Sequence, residues 1–392
     1  MKIVIVPSGF KECMDAEEVA LAMERGVRRV DHSMEVDVIP MIDGGEGFAR
    51  TIVNIKRGTL IEKEVTGPVG QKIKSSFGIF EEHGKRTAVI EMAAVAGLKL
   101  VPHHQRNPLK TTTYGVGELI QAALDAEVDN ILIGCGDSGT SDGGAGMAQA
   151  LGVQFIDKQG QPIRVTGGED LIKATSINTR NVDQRLKEVT IEVACNWTNI
   201  LCGEKGVAHV FGPQKGATPE QVEQLAKGLE HYAKCIQEAI GIDVRSLPGS
   251  GASGGLGAGL IAFTGATLYP RFDIIMNYIS IEEKISTADI VFTAEGSLDF
   301  QTPNGKIPSE VARIAKQNHV PVIAITGTIG KGAAVNYDAG IDAFSSIIQR
   351  PTSLENAIKK APLWIEESTE SAFRQVSIGL DIAAKMYYKE SI

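Results

Sequence analysis

Two glycine-rich stretches are the segments of this chain best suited to chemistry. Gly134-Cys135-Gly136-Asp137-Ser138-Gly139 has the G-x-G-x-x-G spacing and follows a predicted strand. Backbone N–H groups at Gly136, Ser138 and Gly139 can therefore face an anion near the helix expected from 144 to 151. Pro248-Gly249-Ser250-Gly251-Ala252-Ser253-Gly254-Gly255-Leu256-Gly257 offers still more unhindered backbone, with Gly251, Gly254 and Gly255 open to phosphate oxygens. Two such loops in one chain suggest a polyphosphate ligand; the alternative is that the glycines only let a helix pack on a sheet. A Rossmann dehydrogenase is disfavoured, because Thr140-Ser141-Asp142-Gly143-Gly144 extends the first loop before its helix begins. A P-loop is excluded, because Gly305-Lys306 precedes Ile307 and Gly330-Lys331 precedes Gly332.

Carboxylates recur beside glycine in Met41-Ile42-Asp43-Gly44-Gly45-Glu46-Gly47 and in Thr293-Ala294-Glu295-Gly296-Ser297-Leu298-Asp299. Both segments end predicted parallel strands, where open α/β sheets place their ligands. Magnesium needs few carboxylates and bridges substrate phosphates, so two or three such acids suffice, although each taken singly reads more simply as a turn or cap acid. Lys11, Lys215 (in Gly212-Pro213-Gln214-Lys215-Gly216) and Lys306 sit on loops where they can neutralise phosphate or a substrate carboxylate, or stand as solvated lysines. His103-His104 lacks a third ligand at metal spacing, and no Ser or Cys lies in a nucleophile-elbow pattern, so metal hydrolysis and acyl transfer rank low.

The elements that must position these residues are those of an α/β protein. At ~150 residues per domain, 392 residues argue for two. Ile3-Val4-Ile5-Val6 reads as a buried parallel strand, and Asp15 with Glu18 caps a helix whose inner face is Val19, Ala22, Met23, Val27 and Val30. A second strand, Val36 to Met41, completes a βαβ opening. From Thr59 to Met92 the rhythm becomes a β-meander, which places a domain boundary near 58. Thr218-Pro219-Glu220-Gln221 opens a long helix to Ile240, and α/β alternation resumes from Asp289. Residues 1–58 and 287–392 are thus expected to share one sheet, with 59–286 inserted.

The net charge of −9 would repel a phosphate backbone, so no nucleic-acid partner is expected. The five cysteines are scattered without C-x-x-C spacing, which fits reduced thiols in a cytoplasmic protein, and neither an export signal nor a membrane span is expected.

The motifs resemble one family over nearly the full length, the bacterial type 1 glycerate kinases. The matching stretches are Pro7 with Phe10-Lys11, Asp43-Gly44-Gly45-Glu46-Gly47, Val89-Ile90-Glu91-Met92-Ala93, Asp142-Gly143-Gly144, Val210-Phe211-Gly212-Pro213-Gln214-Lys215-Gly216-Ala217, Gly254-Gly255-Leu256-Gly257, and Gln301-Thr302 with Gly305-Lys306. The resemblance implies two α/β domains, one flavodoxin-like with a parallel sheet discontinuous in sequence and one inserted with a mixed sheet, and an active-site cleft between them. There ATP and Mg²⁺ would phosphorylate D-glycerate, typically giving 2-phosphoglycerate. The family pattern usually has Asp-Ser where this chain has Ser8-Gly9, aspartate at Asn196, glycine at Asp137 and arginine at Ser297. Either the acceptor differs, or catalysis is weakened, or the lost acids were never central.

On this basis the chain is expected to be a cytoplasmic ATP- and Mg²⁺-dependent kinase for a small hydroxy acid, glycerate by default. Its partners are that acid and a nucleotide, and self-association is left open. A kinase for a larger sugar acid, or a silent relative that binds a sugar acid or nucleotide, are the rival readings. Asp43, Lys11 and Asp142 are the expected catalytic groups, and Ser8, Glu46, Asn196 and Lys215 the substrate-binding ones. Gly136, Ser138, Gly139, Gly251, Gly254, Gly255 and Lys306 are expected at nucleotide phosphates, and Glu295 and Asp299 at the metal.

Overall fold

Ile3-Val4-Ile5-Val6 forms the strand Lys2–Pro7, buried on both faces as a parallel strand covered by helices must be. In the computed structural model, which describes residues 1–10, 13–41 and 44–390, this strand belongs to a five-stranded parallel sheet. Its order is Ala343–Ser346, Val322–Ile329, Ile290–Leu298, Lys2–Pro7, Glu35–Val38. Counted along the chain this is 5-4-3-1-2, the flavodoxin-like order 2-1-3-4-5 seen from the other edge. The order reverses between Lys2–Pro7 and Ile290–Leu298, where Pro7 pairs with Ala294. A doubly wound sheet offers its ligand crevice at that reversal.

The helix Ala16–Val30 covers this sheet as its periodicity requires, with Val19, Ala22, Met23 and Val27 buried. Its capping box is formed in both directions, from Glu18 N to Asp15 Oδ1 (2.8 Å) and from Asp15 N to Glu18 Oε2 (3.0 Å). Beside it runs the long helix Leu354–Glu390, which the sequence reading did not resolve. Trp364, Ile365 and Phe373 join the sheet core, and Glu366 is gripped by Arg25 and Arg29.

The second unit carries a six-stranded mixed sheet in the order Thr267–Pro270, Thr190–Cys195, Asn130–Gly134, Lys85–Glu91, Lys72–Glu82, Thr59–Thr66. The first four are parallel, and the expected meander supplies the two antiparallel strands at one edge. A separate three-stranded sheet (Gln154–Ile156, Pro162–Ile163, Ser176–Asn178) was not foreseen; its strands are too short for a periodic pattern. The helix Pro219–Ile240 starts on the expected Thr218 and Gln221 capping box and buries Leu225, Leu229, Tyr232 and Ile236. The second glycine stretch is not a free loop: it opens the helix Ala252–Thr264, whose backbone turns left-handed at Ser253, Gly254 and Gly255.

The two units comprise residues 1–42 with 280–392, and residues 43–279. The seams therefore fall earlier than the expected 58/59 and 286/287. Helix Phe48–Ile55 packs on the strands Lys72–Glu82 and Lys85–Glu91, where Gly78 leaves room for Val53, so 43–58 belong to the inserted unit. Helix Ile281–Ser286 packs on helix Ile307–Gln317 and belongs with the flavodoxin-like sheet. Among the described residues no helix is long and apolar enough to cross a membrane.

Helix Tyr114–Asp125 approaches helix Ala145–Ala150 so closely that a Cβ on Gly117 would stand 2.4 Å from the Met147 carbonyl oxygen. Alanine gains about 1 kcal/mol of helix propensity over glycine, yet backbone atoms cannot yield as a side chain does. Gly117→Ala is therefore expected to lower stability by about 1–3 kcal/mol in urea unfolding; an unchanged or raised midpoint would contradict this packing.

Candidate active site

The four parallel strands of the second unit end on one side of the sheet, and the residues that follow them line one cavity of about 530 Å³. Leu98 and Lys99 come from beyond Lys85–Glu91, Cys135 to Ser138 from the turn after Asn130–Gly134, Asn196 and Asn199 from beyond Thr190–Cys195, and Arg271 directly follows Thr267–Pro270. This carboxyl edge is where open α/β sheets bind ligands. Glu46, Ser253, Gly254, Gln214, Lys215 and Arg106 also line the cavity.

The loop from Asp137 to Ser141 is held on every side. Leu98 N donates to Asp137 O (2.8 Å), Gly139 N to Ala96 O (2.8 Å), and Thr111 Oγ1 to Gly139 O (2.9 Å). Behind it lies Lys215, only 2 % exposed, whose Nζ is 2.8 Å from Ser138 Oγ, 2.6 Å from Thr140 O and 3.4 Å from Ser141 Oγ. Burial disfavours the ammonium and lowers its pKa to about 7, against a smaller upward pull from the Asp142 carboxylate. The two glycine stretches meet here: Gly143 N donates to Gly254 O (3.1 Å), and a Cβ on Gly254 would lie 1.9 Å from Thr140 O. With φ of +74° as well, position 254 admits only glycine.

Asp142, expected among the catalytic groups, is 0 % exposed and does not line the cavity. Its carboxylate accepts from Thr113 N (2.8 Å), Thr113 Oγ1 (2.9 Å), Gly144 N (3.2 Å) and Gly146 N (3.2 Å). Burial pushes its pKa up while these bonds pull it down. It acts as a buried anchor that shapes the loop and balances the lysine. Gly139, Gly251 and Gly255, expected at phosphates, are likewise absent from the cavity lining; close packing explains them, since Cβ atoms there would meet Gly97 O at 3.0 Å, Ile200 O at 2.1 Å and Gly143 Cα at 2.8 Å.

Glu46, Asn196, Lys215, Gly136, Ser138 and Gly254 are the expected residues that do line the cavity. Glu46 forms an ion pair with Lys99. Glu91, buried at the end of its strand, accepts from Ala49 N (3.2 Å) and fixes the start of the helix after Glu46; burial raises its pKa. Asp137 has φ of +49°, which gives a physical reason for glycine at this position in the family pattern, and its Oδ2 accepts from Glu46 N (3.0 Å). Asn196 is exposed, and its Oδ1 accepts from Thr198 N (3.1 Å) and Thr198 Oγ1 (2.8 Å), an Asx turn that aspartate would serve equally well. Arg106 and Arg271 were missed. Arg271 directly follows the strand Thr267–Pro270, which the sequence reading did not identify, and Arg106 comes from a segment with no periodic signal. Arg106 Nε is buried and finds no hydrogen-bond partner among the described residues.

Ser8, Glu295, Asp299 and Lys306 belong to the first unit. Ser8 directly follows Lys2–Pro7, donating from Oγ to Ala294 O (2.9 Å), so Ser8 and Glu295 flank the point where the strand order reverses. Lys306 Nζ lies 3.5 Å from Glu295 Oε1 and 3.8 Å from Asp299 Oδ1, and donates to Ser297 O (3.3 Å). No group of three or more His, Cys, Asp or Glu side chains at metal-binding distance occurs among the described residues. Lys11 and Asp43 lie outside the described residues.

The buried network makes a prediction of its own. Asp142→Asn would turn an NH₂ group toward donors that need an acceptor, and is expected to cost about 2 kcal/mol or more in urea unfolding. A loss within error of zero would show that Asp142 does not anchor the loop.

A profile of the glycerate kinase family matches residues 3–377. A glycerate kinase of Halalkalibacterium halodurans is 45% identical over 94% of this chain and 96% of its own length, and a glycerate 2-kinase of Escherichia coli is 42% identical over 97% and 99%. A solved structure described as glycerate kinase 2 from Salmonella typhimurium LT2 superposes with a TM-score of 0.84 at 43% identity, covering 97% of this chain and 99% of that one. The chain belongs to the glycerate kinase family, as a phosphotransferase with an alcohol group as acceptor.

Proposed function

We propose that the protein transfers the γ-phosphoryl group of ATP to the 2-hydroxyl of D-glycerate in the presence of Mg²⁺, giving 2-phosphoglycerate. The observation that carries this reading is the cavity at the carboxyl edge of the second sheet. Arg106, Arg271, Lys99 and Lys215 line it against Glu46 and Asp137, and the Arg106 Nε donor has no partner among the described residues. A guanidinium fork matches a carboxylate, so Arg106 binds the carboxylate of the acceptor. Asn196, Asn199 and Ser253 supply neutral groups for its hydroxyls. The Escherichia coli relative named a glycerate 2-kinase supports the choice of hydroxyl.

A magnesium nucleotide asks for hard oxygen donors and a cation near its phosphates. Glu295 and Asp299, with Lys306 beside them at the strand-order reversal of the first sheet, are such a set, and Gly305 adds backbone with no neighbour among the described residues within 4 Å of where a Cβ would stand. These residues would hold the ion and the phosphates; the ion would supply neutralisation of charge on the transferring group. Ser8, Gly136, Ser138 and Gly254 are the remaining polar or open-backbone positions we assign to ligand binding. Lys11 is assigned to the acceptor or the phosphoryl group.

The cavity is larger than a three-carbon acid requires, which keeps a four-carbon sugar acid as the second reading. Purified protein should release ADP when given ATP, Mg²⁺ and D-glycerate, and phosphorus NMR should identify 2-phosphoglycerate; chelation should abolish turnover. Faster turnover of a four-carbon acid would favour the second reading, and no turnover of either acid would overturn both.

A further inference from the structure

We propose that Ser138 and Lys215 form a proton relay for the acceptor hydroxyl, with Ser138 touching the substrate and Lys215 standing behind it. The inference rests on the reading of this cavity as the acceptor site. Asp43, expected among the catalytic groups, lies outside the described residues; the described residues offer a base of their own.

Ser138 and Lys215 both border the cavity, Lys215 the more deeply buried of the two at 2 % exposed against 9 %, and Lys215 Nζ lies 2.8 Å from the Ser138 hydroxyl oxygen. Both protonation states of the amine satisfy the same neighbours. As an ammonium, Nζ donates to Ser138 Oγ, Thr140 O and Ser141 Oγ. As a neutral amine it donates to Thr140 O and Ser141 Oγ, and its lone pair accepts the Ser138 hydroxyl proton. No heavy atom has to move between the two states. The environment makes the neutral state accessible, since the ammonium is almost fully buried and its pKa is lowered to about 7. The charged and titratable groups around it are Asp142, whose carboxylate favours the ammonium, Tyr232 beside Asp142, Arg106 against Gly216, and Asp137 and Cys135 before the serine. Burial raises the pKa of Tyr232 and Cys135, so both stay neutral through the range that matters.

In the step, the acceptor oxygen bonds to the γ-phosphorus as the bond from that phosphorus to the bridging oxygen breaks, and ADP leaves with the electron pair. The acceptor proton passes to Ser138 Oγ while the Ser138 proton passes to Lys215 Nζ. The ammonium then returns its proton to solvent through Ser138. Ser138 remains uncharged, and its loop is pinned by Leu98, Ala96 and Thr111, so the relay is positioned before substrate arrives.

The test joins kinetics with a direct titration of the lysine. For the wild type with D-glycerate and Mg-ATP, kcat should rise with pH through about 7 as the amine loses its proton. Lys215→Arg keeps the charge but cannot accept a proton; it should lower kcat by about 10²-fold or more, with little change in KM for D-glycerate, and abolish the limb. Ser138→Ala should lower kcat likewise. Independently of turnover, the ε-methylene resonance of Lys215 in wild-type protein carrying ¹³C-lysine, assigned in the wild type by its through-space contacts to Ser138 and Ser141, should titrate near 7. Titration near the ordinary lysine value overturns the relay even if Lys215→Arg fails to fold. A limb that persists in folded Lys215→Arg and disappears in Asp43→Asn also overturns it. Titration near 7 without glycerate turnover at any pH would leave the lysine chemistry standing and overturn the functional reading.

Discussion

A buried ammonium is the constraint on which the second unit depends. Lys215 stands almost fully out of water beneath the loop from Ser138 to Ser141, and its three oxygen neighbours all come from that loop. Removing such a group from water is costly unless oxygen partners and an opposite charge compensate, and leaving either partner alone costs several kcal/mol. The compensation comes from Asp142, itself buried and fixed by the Thr113 hydroxyl and three backbone N–H groups. Much of the local architecture follows: Gly254 must lack a Cβ because Thr140 O faces the lysine, and Gly143 closes against it.

Each unit presents polar and charged side chains at the carboxyl ends of parallel strands, by different chemistry. In the first, the point where the strand order reverses carries Ser8, Glu295, Asp299 and Lys306, two acids with one cation between them among the described residues. In the second, four basic side chains surround a cavity with two acids. Phosphoryl transfer depends on positioning and charge neutralisation more than on covalent participation by the protein, and these residue sets suit that demand.

Much of this was legible in the sequence. The strand Lys2–Pro7, the capping boxes at Asp15 and Thr218, and the meander from Thr59 carry strong local signals, because side-chain period and cap chemistry act over a few residues. The seams were less legible: helix Phe48–Ile55 joins the inserted unit through a packing contact at Gly78 that no local pattern announces. At Gly139, Gly251 and Gly255 the structure shows close approach of neighbouring atoms, a need that composition cannot separate from ligand binding. The full burial of Asp142 was not legible, because burial is a tertiary property. Arg106 was invisible for the same reason.

The most direct test of the acceptor site is calorimetric titration of D-glycerate into the wild type and into Arg106→Gln, with thermal unfolding recorded for both. If this cavity holds the acceptor carboxylate, the variant should keep its unfolding temperature and bind D-glycerate at least about tenfold more weakly, as loss of a charge-assisted hydrogen bond demands. Equal affinity in a folded variant would place the acceptor elsewhere and contradict the assignment of the second unit's cavity.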